Sequence, residues 1–157
     1  MTSFVLDLSP IVTLTRAEFQ KLCAANPDMK LERSASGELI VMSPTGGETG
    51  NRNSELTAEV VVWNKQSQLG KTFDSSTGFA LPQGGDRCPD VAWIPLVKWE
   101  ALTPEERRSF LPLCPDFVIE LLSSSDIAVY RSMEYMGCRG QCPLRGGFTP
   151  TPRTSLR

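Results

Sequence analysis

Apolar positions recur at helical spacing in two stretches and cluster into short runs elsewhere. Thr15-Arg16-Ala17-Glu18 has the form of a capping box, and Phe19, Leu22 and Cys23 follow on one face until Asn26-Pro27 ends the helix. A second helix is predicted from about Glu48 to Leu69, with Leu56, Val60 and Trp63 on one face, charged residues opposite, and Gly70 closing it. Between them, Met29 to Arg33, the turn Ser34-Ala35-Ser36-Gly37 and Glu38 to Pro44 read as a β-hairpin. Phe73 to Leu81 and Val91 to Pro95 read as strands, because they are short apolar segments bounded by Gly, Pro and Asp. Thr103-Pro104-Glu105-Glu106 opens a small helix with Thr as N-cap and Pro at the first helical position. Asp116 to Leu122 is the strongest strand, with Glu120 set inside an apolar run. The order α, hairpin, α, β, β, small α, β predicts an α+β fold, a mixed β-sheet flanked by helices.

Charge divides the chain near Asp126. Residues 1–126 hold 11 Lys+Arg and 17 Asp+Glu, a charge of −6, whereas residues 127–157 hold five Arg and the single acid Glu134, a charge of +4. The second part is dense in Gly and Pro and has neither helical nor strand periodicity. It is expected to be a mostly disordered tail, 127–157, behind one folded domain, 1–126. A formal charge of −2 over 157 residues excludes a broadly basic nucleic-acid binder, so any nucleic acid must be held by a local patch or a metal. No window approaches the roughly 18 apolar residues of a membrane span, and the N-terminus lacks a basic region followed by an apolar one. A cytoplasmic protein with no membrane partner is expected.

The absence of histidine removes His-based zinc sites, Ser-His and Cys-His catalysis, and histidine general bases. The five cysteines lack Cys-x-x-Cys spacing and are expected as free thiols. Gly46-Gly47 and Gly84-Gly85 are followed by no phosphate-loop pattern and read as turns. Acid–base or metal chemistry therefore rests on carboxylates and lysines.

Two carboxylates stand out. Glu120 lies within an apolar strand, where a charge must be paired or ligate a metal, unless the strand is half-exposed and Glu120 points to solvent. Asp90, in Pro89-Asp90, precedes the apolar strand Val91-Ala92-Trp93-Ile94; its ordinary reading is a turn residue. As a pair they mean more, because the link between them is short enough for their strands to lie side by side. Two converging carboxylates make a hard oxygen site suited to Mg²⁺ or Mn²⁺. A site of that kind can activate water against a phosphodiester.

Several blocks in succession resemble the Uma-type restriction endonuclease family: Gly37 to Glu48, Phe73 to Phe79, Pro89 to Trp93, Leu102 to Arg107, and Cys114 to Leu121. The resemblance covers about residues 10–126. It implies a restriction-endonuclease-like, PD-(D/E)XK-type fold, whose signature is Pro-Asp, a spacer and Asp/Glu-x-Lys, and an Mg²⁺-dependent DNA endonuclease activity. By position, Asp90 matches the first metal-binding aspartate and Glu120 the second acid. Glu55, on the long helix, falls where many members place a further acid, while an exposed helical Glu is also simply a solvated face. The resemblance implies DNA as partner and allows a homodimer, in which two sites cut two strands.

The chain departs from that pattern at Leu122, which stands where Glu-x-Lys would put lysine, and no lysine follows Lys98. The family's basic residue sits on the following helix; here the corresponding stretch is Arg131-Ser132-Met133-Glu134-Tyr135, which has none. The abrupt change of composition fits a frameshifted or truncated reading of a family gene. Three functions compete: an active endonuclease, a catalytically dead member of the family, and a non-enzymatic interaction module using Trp63, Trp93 and Trp99. Weak cleavage or none is expected, since arginine stays protonated and cannot accept a proton.

Overall fold

Thr15 opens the first helix, α1 (Arg16–Ala25), with the reciprocal cap that its sequence predicts. Glu18 Oε2 accepts from the Thr15 N–H at 2.8 Å, and the Thr15 hydroxyl accepts from the Glu18 N–H at 3.3 Å. Two otherwise orphaned amides are satisfied this way, so Thr15→Ala is expected to lower stability by about 1 kcal/mol. A urea titration should show a lower midpoint with an unchanged slope.

The structure is a computed structural model and describes residues 3–8, 11–121 and, as backbone, 127–131. Two antiparallel sheets are formed. The first contains β1 (Ser3–Leu6), β2 (Leu31–Arg33), β3 (Leu39–Met42), β5 (Phe79–Ala80) and β6 (Asp86–Arg87) in the order β1-β3-β2-β6-β5; the second contains β4 (Gly70–Asp74), β7 (Val91–Pro95), β8 (Phe117–Leu121) and β9 (Ile127–Arg131) in the order β4-β7-β8-β9. The long helix α2 (Gly47–Ser67) lies between the hairpin and β4, and α3 (Leu96–Ala101) and a 3₁₀ turn (Glu106–Arg108) join β7 to β8.

This is an α+β fold, as expected, but its strand ladders among the described residues are all antiparallel rather than mixed. A lone parallel bridge, Phe79 to Leu111, stands outside them. Phe73 to Leu81 is not one strand. Asp74 Oδ1 accepts from the Ser76 N–H at 3.0 Å, a side-chain turn that ends β4 and sends Phe79-Ala80 into the other sheet. Thr103 and Glu106 do form their cap, at 2.7 Å and 3.2 Å, yet the segment makes only a 3₁₀ turn. Of the expected tail, Ile127–Arg131 pairs with β8, and 132–157 lie outside the described residues.

α2 packs on the second sheet through the face its periodicity marks. Val60 joins Val91 and Ile119, with Leu56 and Phe117 beside them, and Trp63 meets Trp93 edge to face at 5.5 Å. Asn64 ties the layers together: its Oδ1 accepts from the Trp93 Nε1–H at 2.8 Å and from the Gly70 N–H at 3.1 Å. Only glycine fits at 70, because a Cβ there would collide with the Ile94 carbonyl and the Trp93 ring. A second cluster of Phe79, Leu81, Ala92, Ile94, Leu111 and Val118 joins the two sheets.

One charged group is sealed inside the first sheet. Asp86 is 0% exposed and receives Arg33 Nε at 2.7 Å and Arg16 Nε at 3.0 Å, so its charge is paired on both oxygens. Arg16 also donates to the Leu81 and Gly85 carbonyls, fastening α1 to the loop before β6. Cys23 and Cys88 are free thiols, whereas Cys114 is disulfide-bonded, a pairing that the cysteine spacing does not reveal. Among the described residues no helix is long and apolar enough to cross a membrane.

Candidate active site

Antiparallel pairing of β7 with β8 decides where the two carboxylates meet. Val91 lies opposite Ile119 and Trp93 opposite Phe117. One step beyond the ladder the same register sets Asp90 opposite Glu120, and opposed residues of an antiparallel pair share a face. Both strands are inner strands of their sheet, flanked by β4 and β9.

Asp90 is 2% exposed. Its Oδ2 accepts from the Leu121 N–H at 2.9 Å, so the side chain reaches across to pin the end of β8 beside Glu120. Its Oδ1 is buried and has no hydrogen-bond partner. A carboxylate oxygen left in that state is costly in the absence of a cation or a proton donor. Burial pushes the Glu120 carboxyl up to about 8, and the negative charges of Asp90 and then Glu32 push the same way; Lys30 and the Asp90 backbone pull it down. At neutral pH without a cation Glu120 is therefore mostly protonated, which relieves the repulsion of two close acids.

Glu32 is the acid that the sequence reading missed. It lies in β2 at 7% exposure, and both its oxygens are used: Oε1 accepts from the Cys88 N–H at 2.7 Å and Oε2 from Arg87 Nη1 at 3.0 Å. It thereby positions Arg87-Cys88, directly before Pro89-Asp90. The signal was present in Lys30-Leu31-Glu32-Arg33, where an acid sits inside a short strand just as Glu120 does.

Glu55 is placed differently. It is exposed on α2 and accepts from Asn51 Nδ2 at 2.9 Å, one turn earlier, while the charges acting on Glu120 are those of Asp90, Glu32 and Lys30. The structure thus brings Asp90 and Glu120 together and leaves Glu55 on the solvent side of its helix. Arg131 is not on a following helix. It ends β9 opposite Phe117, whereas Ala128 lies opposite Glu120, so its backbone sits roughly 10 Å along the sheet from the acid pair. Ile127-Ala128-Val129-Tyr130 explains the strand, being rich in β-branched and aromatic residues. Ser123 to Ser125 and Ser132 to Tyr135 lie outside the described residues.

The three tryptophans are packing residues. Trp93 is buried, Trp63 lies against it, and Trp99 is held between Phe73 and the Arg107 guanidinium, 4.8 Å from the ring centre. They form no exposed aromatic surface of the kind an interaction module would use.

The pair suits a hard divalent cation. Both acids offer carboxylate oxygens, one of them is buried without a partner, and burial first and Asp90 second favour the protonated form of Glu120. Among the described residues no three His, Cys, Asp or Glu side chains are grouped to hold a metal, so most of the ion's coordination would fall to solvent or a bound ligand.

Comparison with curated proteins returns no match. The Uma2 family profile, described as "Putative restriction endonuclease", matches residues 16–133, which include both Asp90 and Glu120. That match spans 118 of the 157 residues, and the chain belongs to the Uma2 family.

Proposed function

We propose that the chain is a divalent-metal-dependent DNA endonuclease domain, in which Asp90 and Glu120 hold Mg²⁺ or Mn²⁺ against a phosphodiester. The observation that carries this reading is the buried, unpartnered Oδ1 of Asp90 on the same face as a carboxyl raised to about 8. Such an ion, when bound, supplies Lewis acidity toward the phosphate and toward water. The chain's own part is to hold two anionic donors at the ends of rigid strands. Asp90 is fixed by the Leu121 amide, and Glu32 anchors the approach to Asp90 through Cys88 and Arg87. The family's description, "Putative restriction endonuclease", supports DNA as the substrate. The net charge of residues 1–126 is −6, so a duplex is not drawn in by overall charge and depends on cations at the site.

The catalytically dead reading is favoured by one observation, Leu122 in place of the motif lysine. Incubation of supercoiled plasmid with Mg²⁺ or Mn²⁺ separates the two. Slow conversion to the nicked circle is expected, and Asp90→Asn should reduce it to background. Direct appearance of linear plasmid would indicate paired copies cutting both strands. If wild type and Asp90→Asn are both inert, the endonuclease reading fails.

A further inference from the structure

Asp90 and Glu120 face each other across the strand pair, and a phosphodiester bound there adds further negative charge. Leu122 leaves no lysine two positions after Glu120. A cation that faces the substrate must come from another part of the chain, and the course of β2 identifies it.

Lys30 immediately precedes β2, and its carbonyl accepts from the Met42 N–H at 3.0 Å, so the backbone at 30 continues the β2–β3 ladder. Side chains at 30 and 32 therefore share a face. Glu32 shows which face that is, because its carboxylate reaches Arg87 and Cys88. β2 also runs antiparallel to β6, with Arg33 opposite Asp86. Moving back along one strand and forward along the other brings Leu31 beside Cys88, which the 4.0 Å contact of Cys88 Sγ with the Leu31 carbonyl bears out. The next step brings Lys30 beside Pro89, adjacent to Asp90. The electrostatics agree. Burial and Glu32 push the Cys88 thiol up to about 12, whereas Lys30 acts in the opposite sense there and on Glu120.

We propose that Lys30 is the phosphate-contacting lysine of this site, an ammonium carried by the β2 hairpin to the rim of the Asp90–Glu120 pair in place of the missing lysine at 122. The inference rests on the endonuclease reading and adds to it the residue that offsets the substrate's charge. Lysine suits the task because its ammonium is a compact charge on a long stem, and Lys30 is half-buried.

Lys30→Met, Lys30→Arg and the exposed control Lys21→Met are to be compared for Mn²⁺-induced thermal stabilisation and plasmid nicking on the same preparations. Lys30→Met is expected to keep the Mn²⁺-induced rise in Tm, since loss of a cation beside two carboxylates favours the metal. Its nicking rate should fall by about 100-fold or more. Lys30→Arg should retain nicking within about tenfold, because the charge is kept, and Lys21→Met should match wild type. Equal nicking by wild type and Lys30→Met would overturn the role of Lys30 and leave the metal site standing. A wild type that Mn²⁺ stabilises but that does not nick would overturn it as well, assigning the chain to the inactive class. A wild type that Mn²⁺ does not stabilise would remove the site and Lys30's role together.

Discussion

Mn²⁺ at one hundred times its Kd is expected to stabilise the wild-type fold by about 2.7 kcal/mol, a rise in Tm of roughly 5–10 °C for a chain of this length. Asp90→Asn and Glu120→Gln should each abolish that rise. Both substitutions are expected to leave the metal-free fold intact, for reasons that can be read from the contacts. Asn at 90 keeps a carbonyl oxygen for the Leu121 amide, which Asp90 Oδ2 now accepts at 2.9 Å, and removes the charge on the unpartnered Oδ1. Gln at 120 resembles the protonated acid that burial and Asp90 already favour. In metal-free buffer the variants should therefore melt at or above the wild-type temperature, and only the cation should separate them. Glu55→Gln, on the exposed side of α2, should behave as wild type. A rise that survives in both Asp90→Asn and Glu120→Gln would place the cation elsewhere and remove the pair from the mechanism.

The pair was legible because its determinants are local. Asp90 and Glu120 each sit against an apolar run, and a connection of 30 residues with a short helix in it lets those runs become neighbours. The pattern of α2 was equally plain, since Leu56, Val60 and Trp63 repeat along one face, and all three pack where that face predicts. Glu32 and Lys30 were not legible, because their importance depends on β2 meeting β6 across more than 50 residues of chain. A three-residue strand gives no periodicity to read, and Leu31-Glu32-Arg33 looks like the polar arm of a hairpin until Arg33 finds Asp86. The error over Phe73 to Leu81 has the opposite origin. Hydrophobicity suggested continuity, whereas Asp74-Ser75-Ser76-Thr77-Gly78 already contained a turn, which the structure uses to pass the chain from one sheet to the other. Leu122 marks the missing lysine in the sequence, whereas the path of the first sheet is what carries Lys30 toward Asp90.

Mg²⁺ affinity is expected to climb roughly tenfold per pH unit below about pH 8 and to level off above it, because binding must expel one proton from Glu120. The sign of the accompanying stability change is opposite in the metal-free protein. Glu120 is raised from 4.5 to about 8 by burial first and by Asp90 second, so the folded state holds a proton that the unfolded chain releases near pH 4.5. The stabilisation due to that proton is complete below about pH 4.5 and disappears as pH rises to about 8. Metal-free wild type should thus lose stability between pH 5 and pH 8 relative to Glu120→Gln, whose amide does not titrate, while the gain from added Mg²⁺ grows over the same interval. Calorimetric titration in two buffers of different ionisation enthalpy measures the proton directly: close to one proton released per Mg²⁺ at pH 6.5, falling toward none at pH 9. A proton count near zero at pH 6.5, with affinity independent of pH, would mean that Glu120 is already ionised without the cation. The unpartnered Asp90 oxygen would then be facing a second full negative charge across the strand pair, and a close approach of the two would need another cation to hold it.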